Sequence, residues 1–317
     1  MKLRADCNVI KQGDSYKIYN EINSFLLEDL TETQLFKLKK SVTENVNLNE
    51  YFTQNVLENL FEKSLLVIED ETLSDELEQS QYKWFSYLDN KQISWIDFRN
   101  LRIAILGCGG IGALASQTLA AAGIKNFILI DHDNVSHNNL NRQFTYNKSD
   151  IGKLKVNVLK ELFTMNSSEV AIDTYCEYIT DSTRLAELCS SADILLCCAD
   201  KPVNTINKIC AEFSYLTKTP VIFGSVGFMN GSIGPLINTP KSAFNYKRAC
   251  EVLEAKKEKL EFEINHASNG ATNSIIANIV AMEAIFYFTS IHKCMTINTC
   301  LNMDFTSLET KKIFTIK

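Results

Sequence analysis

Ten cysteines are present in the 317 residues, yet no two of them stand as a C-x-x-C pair, the spacing a structural zinc site commonly uses. Cys197 and Cys198 adjoin inside an apolar run, which suits buried free thiols better than metal ligands. Excess positive charge is missing too. Lys and Arg number 32 against 38 Asp and Glu, a formal charge of −6, so long-range attraction for nucleic acid is absent and no nucleic-acid partner is expected. The opening MKLRADCNVIKQGD has charges with no apolar stretch behind them, unlike a secretory signal. The expectation is a cytoplasmic protein without structural disulfides. The apolar stretch Ser274 to Phe288 is too short for a membrane span and carries Glu283. It reads as a buried helix, and no membrane partner is expected. There is no internal repeat and no low-complexity segment.

The length suits about two domains. Residues 1–72 read as one small unit. CNVIKQ and SYKIYN flank Gly13-Asp14 as a hairpin, and SFLLED supplies a short third strand. Thr31 or Thr33 caps a helix through TQLFKLKKSV, with a stripe of Leu35, Phe36, Leu38 and Val42. A short helix near Asn47 to Phe52, another at VLENLFEKS and a strand at LLVIED complete a small winged-helix-like α+β module. Residues 73–100 are polar and charged, a linker helix leading into the main sheet. From Leu101 to 317, strands and helices alternate: RIAILG, NFILID, EVAIDTYC, DILLCCAD and PVIFGSV are the strands. That alternation predicts a mostly parallel sheet with helices on both faces. A charged helical segment, YKRACEVLEAKKEKLEFEI, a polar loop, NHASNGATN, and a closing hairpin end the chain.

The densest signal runs from Ile103 to Lys155. Gly107, Gly109 and Gly112 satisfy G-x-G-x-x-G directly after an apolar strand, with Gly110 between them, and Asp131 ends the next strand. Such a loop lets backbone approach a phosphate at a helix N-terminus, so the chain binds a nucleotide in a Rossmann-like βαβ unit. A dehydrogenase shares that much, but hydride transfer has no need for the NLNRQ and GKLK groups that follow.

Taken in order, GCGGIG, DHDNV, NLNRQ, IGKLK and CCAD resemble the ThiF/MoeB/HesA family of E1-like adenylating enzymes, over about residues 101 to 290. The resemblance implies activation of a carboxylate by ATP with Mg²⁺, giving an acyl-adenylate and pyrophosphate, and a homodimer. It implies catalytic roles for Arg142 and Lys155 against the triphosphate and for Asp200 as the Mg²⁺ ligand. It also implies ribose contacts from Asp131, with Asp133, Asn139 and Gln143 around the nucleotide. Physical chemistry agrees with these residue types. A guanidinium fork suits phosphate oxygens, an ammonium is a point charge, and a carboxylate suits a hard cation. Lys153 reads as the solvated neighbour of Lys155, and His132 and His137 as surface groups. No general base is required, because a carboxylate nucleophile is already ionised at neutral pH.

The sequence departs from the family pattern in three places. The paired C-x-x-C motifs of many members are absent, so no zinc is expected. The family's upstream arginine has only Lys83, in QYKWF, near its place. The cysteine used by members that transfer ubiquitin-like proteins has Cys250, in YKRACEV, as its candidate. ADKPVNTIN resembles the peptide-modifying branch, the enzymes of microcin C and pantocin biosynthesis, whose front module recognises leader peptides of ribosomally made peptides. The expected partner is therefore a short precursor peptide added as a strand to the edge at SYKIYN or SFLLED. The segment Lys241 to Glu263 is expected to cross over the acyl site. Sulfur-carrier activation and a non-catalytic leader-binding protein are the rival readings.

Overall fold

The computed structural model describes residues 1–68, 76–86, 93–166, 169–203, 205–256, 268–290 and 292–317. The chain divides into two compact units, Met1–Lys91 and Gln92–Lys317.

In the first unit, β1 (Lys2–Leu3) pairs antiparallel with β5 (Leu66–Val67), closing the two ends of the module on each other. Between them lies a three-stranded antiparallel sheet, β2 (Asn8–Gln12), β3 (Ser15–Tyr19) and β4 (Ser24–Leu27). Gly13 makes the β2–β3 turn at φ 62°, a left-handed conformation that costs glycine little. Helix α1 (Glu32–Lys40) starts at a capping box: Gln34 N–H donates to the Thr31 hydroxyl, and the Gln34 side chain takes the Thr31 N–H. A single 3₁₀ turn, Leu48–Glu50, stands where a short helix was expected, and α2 (Gln54–Glu62) follows. The core under the sheet is Ile18, Leu27, Leu38, Leu57 and Leu60. The stretch read as one linker holds two helices in different units: α3 (Glu76–Ser86) lies in the first and α4 (Trp95–Asn100) in the second.

The second unit is built on one eight-stranded sheet. Its parallel strands are β6 (Arg102–Leu106), β7 (Asn126–Ile130), β8 (Ala171–Tyr175), β9 (Ile194–Cys197) and β10 (Val221–Val226). Three antiparallel strands extend it: β11 (Asn230–Ile237), β12 (Thr299–Asp304) and β13 (Thr310–Thr315). The spatial order is β13-β12-β11-β10-β9-β6-β7-β8. Strand residues alternate between two buried faces. Ala104, Leu106, Ile128, Leu195, Val221 and Phe223 pack on α7 (Ser182–Leu188), α8 (Ile206–Thr217) and α9 (Pro240–Lys256). The opposite face meets α5 (Gly112–Ala121), α6 (Lys155–Asn166) and α10 (Gly270–Thr289), as in the Phe127–Phe163 ring contact and the packing of Val280 on Gly224. Helix α10 is long and apolar enough to cross a membrane, but it packs on α5, β10 and β11 and buries Glu283. It is a core helix, as its sequence suggested.

Because β9 returns to the far side of β6 after the β7–β8 excursion, the sheet has a topological switch point between β6 and β9. In open α/β sheets ligands bind beyond the carboxyl ends of the strands at that point.

Candidate functional site

The glycine loop lies at this switch point. Gly107, at the end of β6, has φ 89°, and a Cβ there would stand 2.7 Å from the Ala199 nitrogen. Only glycine lets the loop lie so close to the end of β9. At Gly112 a Cβ would strike the Gly107 carbonyl, and at Gly110 the Asn273 side chain. Gly109 is open: the nearest atom to a Cβ there is Gln143 Nε2 at 3.7 Å. Among the described residues no acceptor takes the backbone N–H of Gly109 or Gly110. These two amides, ahead of α5, form an anion-receiving turn.

Asp131 directly follows β7 and is buried. Its Oδ2 accepts from Cys108 N–H at 2.6 Å and its Oδ1 from Asp133 N–H at 2.7 Å. The residue read as a ribose ligand therefore also staples the glycine loop to β7, while each oxygen keeps a second lone pair. Burial, with the Asp131 carboxylate adding to it and Lys155 opposing, pushes the Cys108 thiol well above its usual range.

Lys155 opens α6 and is 4% exposed. Its ammonium donates to Asp133 Oδ2 at 2.7 Å. Lys153 is half exposed and pairs with Asp150 at 3.1 Å. Of the two lysines in GKLK, Lys155 is the one the fold holds inside, as the sequence reading separated them. Burial raises the Asp133 carboxyl, but the Lys155 hydrogen bond and charge, with His132 and Lys201, outweigh it and hold the group below its usual value. His132 is exposed, 3.3 Å from Asp133 and edge-on to Tyr178. Donor atoms of Asp131, His132 and Asp133 lie within 4.8 Å of one another, but Lys155 already supplies this cluster with a cation.

The NLNRQ segment is a tight turn. Asn139 is buried, and its side chain accepts from Ser136 N–H and donates to Asn138. Its carbonyl accepts from the N–H groups of Arg142 and Gln143. Asn139 thus acts here as the scaffold of the segment. His137 is exposed at the start of the turn. Arg142 uses one guanidinium nitrogen, Nη1, on the Asn138 carbonyl and Asn141 Oδ1. Its Nη2 and Nε make no hydrogen bond to a described residue. Gln143 is 4% exposed, lies beside Gly109, and its Oε1 is buried without a partner among the described residues. A buried orphan acceptor is costly, and beside an open glycine loop it marks a place for a polar ligand.

Asp200 lies past the end of β9, exposed and without an ion pair among the described residues. Cys250 is buried in α9. Burial raises its thiol to about 11, the opposite direction from the lowered value of a nucleophilic cysteine. Lys83 is exposed on α3 in the first unit. The segment expected to cross over the acyl site is helical through Lys256, packed on α8, and its residues 257–263 lie outside the described residues.

Two contributors escaped the sequence reading. Tyr146 donates its hydroxyl to the Cys108 carbonyl at 2.7 Å. Asn273 lies against Gly110 and ties to Ser268 and Asn269 at the start of α10. The signal for Asn273 was the polar NHASNGATN run before an apolar helix, in which Asn269 is the N-cap.

A switch-point crevice with a glycine loop, a buried lysine and an arginine whose Nη2 and Nε are unused among the described residues is the layout of a nucleotide-binding α/β fold. Within that class the chain belongs to the ThiF family, whose model matches residues 90–317. The molybdopterin-synthase adenylyltransferase of Escherichia coli K12 is 34% identical over 137 residues, 43% of this chain and 53% of that protein. The chain spans about half the length of the curated relatives it matches. Among solved structures, E. coli MccB with AMPCPP and MccA superposes with TM-score 0.74 at 19% identity, covering 99% of this chain and 96% of that one. PaaA does so with TM-score 0.73 at 20% identity, covering 98% and 99%. At that identity the likeness shows a shared fold.

Proposed function

We propose that this chain is an ATP-dependent adenylyltransferase that activates a carboxyl group of a ribosomally made precursor peptide. The observation that carries the reading is the buried Lys155 ammonium together with the open Gly109 and Gly110 amides and the orphan Gln143 Oε1. Attack of a carboxylate on an α-phosphate brings two anions together, and preorganised positive groups lower that barrier. The loop amides and Arg142 take phosphate oxygens, Lys155 offsets their charge, and Asp131 offers its remaining lone pairs to the ribose. Asp200 suits Mg²⁺, being an exposed carboxylate without an ion pair among the described residues, one residue after the Ala199 that lies against the glycine loop. Bound there, the ion would offset the charge of the leaving pyrophosphate.

The peptide as substrate is supported by the likeness to MccB bound to MccA and to PaaA, which extends over nearly the whole chain. The first unit supports this reading with its β2–β3–β4 sheet, but not at SYKIYN: β3 is the central strand, paired on both sides, so of the two expected edges only SFLLED, in β4, is available for strand addition. In this reading the first unit, Met1–Lys91, is the peptide-recognition module, the second, Gln92–Lys317, is the E1-like domain, and the working enzyme is a homodimer. Both outcomes of the peptide-modifying branch fit: a modified C-terminal residue, or an activated glutamate side chain.

A second reading, activation of a sulfur-carrier protein ending in Gly-Gly, is favoured by the identity to the molybdopterin-synthase adenylyltransferases. The deciding experiment measures AMP and pyrophosphate from Mg-ATP, with a short peptide encoded beside the gene or with a Gly-Gly-ended carrier, and D200A as control. Peptide-dependent pyrophosphate release, lost in D200A, is the expected result. Release driven only by the carrier installs the second reading. Tight peptide binding with no turnover leaves a leader-binding protein.

A further inference from the structure

Cys108 is held at both of its peptide groups. Its N–H donates to Asp131 Oδ2 at 2.6 Å, and its carbonyl accepts the Tyr146 hydroxyl at 2.7 Å. One residue earlier, Gly107 N–H donates to the Ile130 carbonyl at 2.9 Å, and its α-carbon lies close against the Ala199 backbone. The loop is thus anchored up to the Cys108 carbonyl, and just beyond it the Gly109 and Gly110 amides have no acceptor among the described residues. Tyr146 is 5% exposed and comes from the segment that carries Arg142 and Gln143. Its backbone N–H donates to the Gln143 carbonyl at 3.1 Å.

Peptide planarity gives this contact its consequence. In a trans peptide the C=O of one residue and the N–H of the next point in opposite directions. Drawing the Cys108 carbonyl onto Tyr146 turns the Gly109 N–H the other way, where no described residue accepts it. Without that hydroxyl the plane of the peptide between Cys108 and Gly109 loses the one hydrogen bond made to its carbonyl among the described residues, and the aim of its amide is no longer fixed from that side.

We propose that Tyr146 is a positioning residue for the nucleotide phosphates: its hydroxyl fixes the Cys108–Gly109 peptide so that the Gly109 amide is presented to the anion. The inference rests on the nucleotide reading above. Burial keeps the phenol protonated across the physiological range, so the hydroxyl is a constant donor.

The test is the affinity of the full chain for Mg-ATP and for adenosine, measured in wild type and Y146F, with thermal unfolding of each. Y146F keeps the ring and removes one neutral hydrogen bond, so ATP affinity falls about tenfold while adenosine affinity changes less than about twofold. A purely structural role lowers both affinities equally, and that result, or no loss for either ligand, overturns the proposal. If wild type binds no ATP, the nucleotide reading falls and this inference falls with it. If wild type binds ATP and Y146F binds it equally well, only the inference falls. Should Y146F not fold, Y146M, a flexible apolar filler without a donor, takes its place under the same criteria.

Discussion

A buried ammonium is expensive unless something anionic stays beside it. Lys155 has only Asp133, itself half exposed, among the described residues. The pair keeps the ammonium inside the fold, where the proposed triphosphate would compete with Asp133 for it. K155Q is expected to lower pyrophosphate release about 100-fold, the scale seen when one charge-stabilising group is removed. K153Q, which removes a half-exposed ammonium paired with the buried Asp150 and away from the glycine loop, is expected to leave it within about twofold. Equal losses in the two variants would sink the assignment. The Asp133 carboxyl titrates below its ordinary value in the folded chain. Its contribution to stability is therefore fully present above pH 3.8 and is lost as pH falls through the lowered folded value. D133N should lower the urea midpoint at neutral pH and flatten the acid limb below about pH 4, so that the two profiles converge as pH falls. The placement of the glycine loop, Lys155 and Arg142 in one crevice was legible in the sequence because residue type and spacing mark such a crevice. The scaffold duties of Asp131 and Asn139 were not, since a carboxylate or amide looks the same whether it meets a ribose or a neighbouring N–H.

Helix α10 shows what buried polar groups do in an apolar element. Glu283 Oε2 accepts from Thr296 N–H at 2.9 Å, Thr296 Oγ1 at 2.6 Å and Cys294 Sγ at 3.0 Å. The Thr296 carbonyl in turn takes the N–H of Leu236 in β11. The carboxylate thus secures the loop that joins the helix to the antiparallel part of the sheet. E283A is expected to cost about 2–4 kcal/mol, since it strands the Thr296 N–H in the core. E283Q, which still offers an acceptor, should cost less than half as much in urea denaturation. In the first unit T31A removes one half of the capping box and is expected to cost about 1 kcal/mol. Strand β11 was invisible beforehand because NGSIGPLI holds two glycines and a proline, all poor strand formers. The structure accommodates Pro235 where the β10–β11 register shifts between Ile222 and Gly224, a place that needs no ladder N–H. β1 was missed for a different reason: two residues carry no periodicity, and only pairing with Leu66 and Val67 makes them a strand.

Two cores in one chain make the parts separable in principle. A fragment of residues 1–91 carries its own buried cluster and its own closing β1–β5 pair. It is expected to unfold cooperatively in urea when expressed alone. A broad, non-cooperative loss of helix signal would show that the cluster needs the rest of the chain. The alternation of strands and helices told the class of the second unit early, because each βαβ step is local. What joins β6 to β9 is not local: Leu106 meets Cys197 across roughly ninety residues, and the glycine loop leans on the end of β9 through Gly107. Such long-range closure is slow relative to helix formation. During refolding, a fluorescent nucleotide should therefore bind only after the helical signal has largely returned. Nucleotide capture then works as a clock for the last pairing in the sheet, and a nascent chain stalled before β9 would be blind to ATP however well its glycine loop is written.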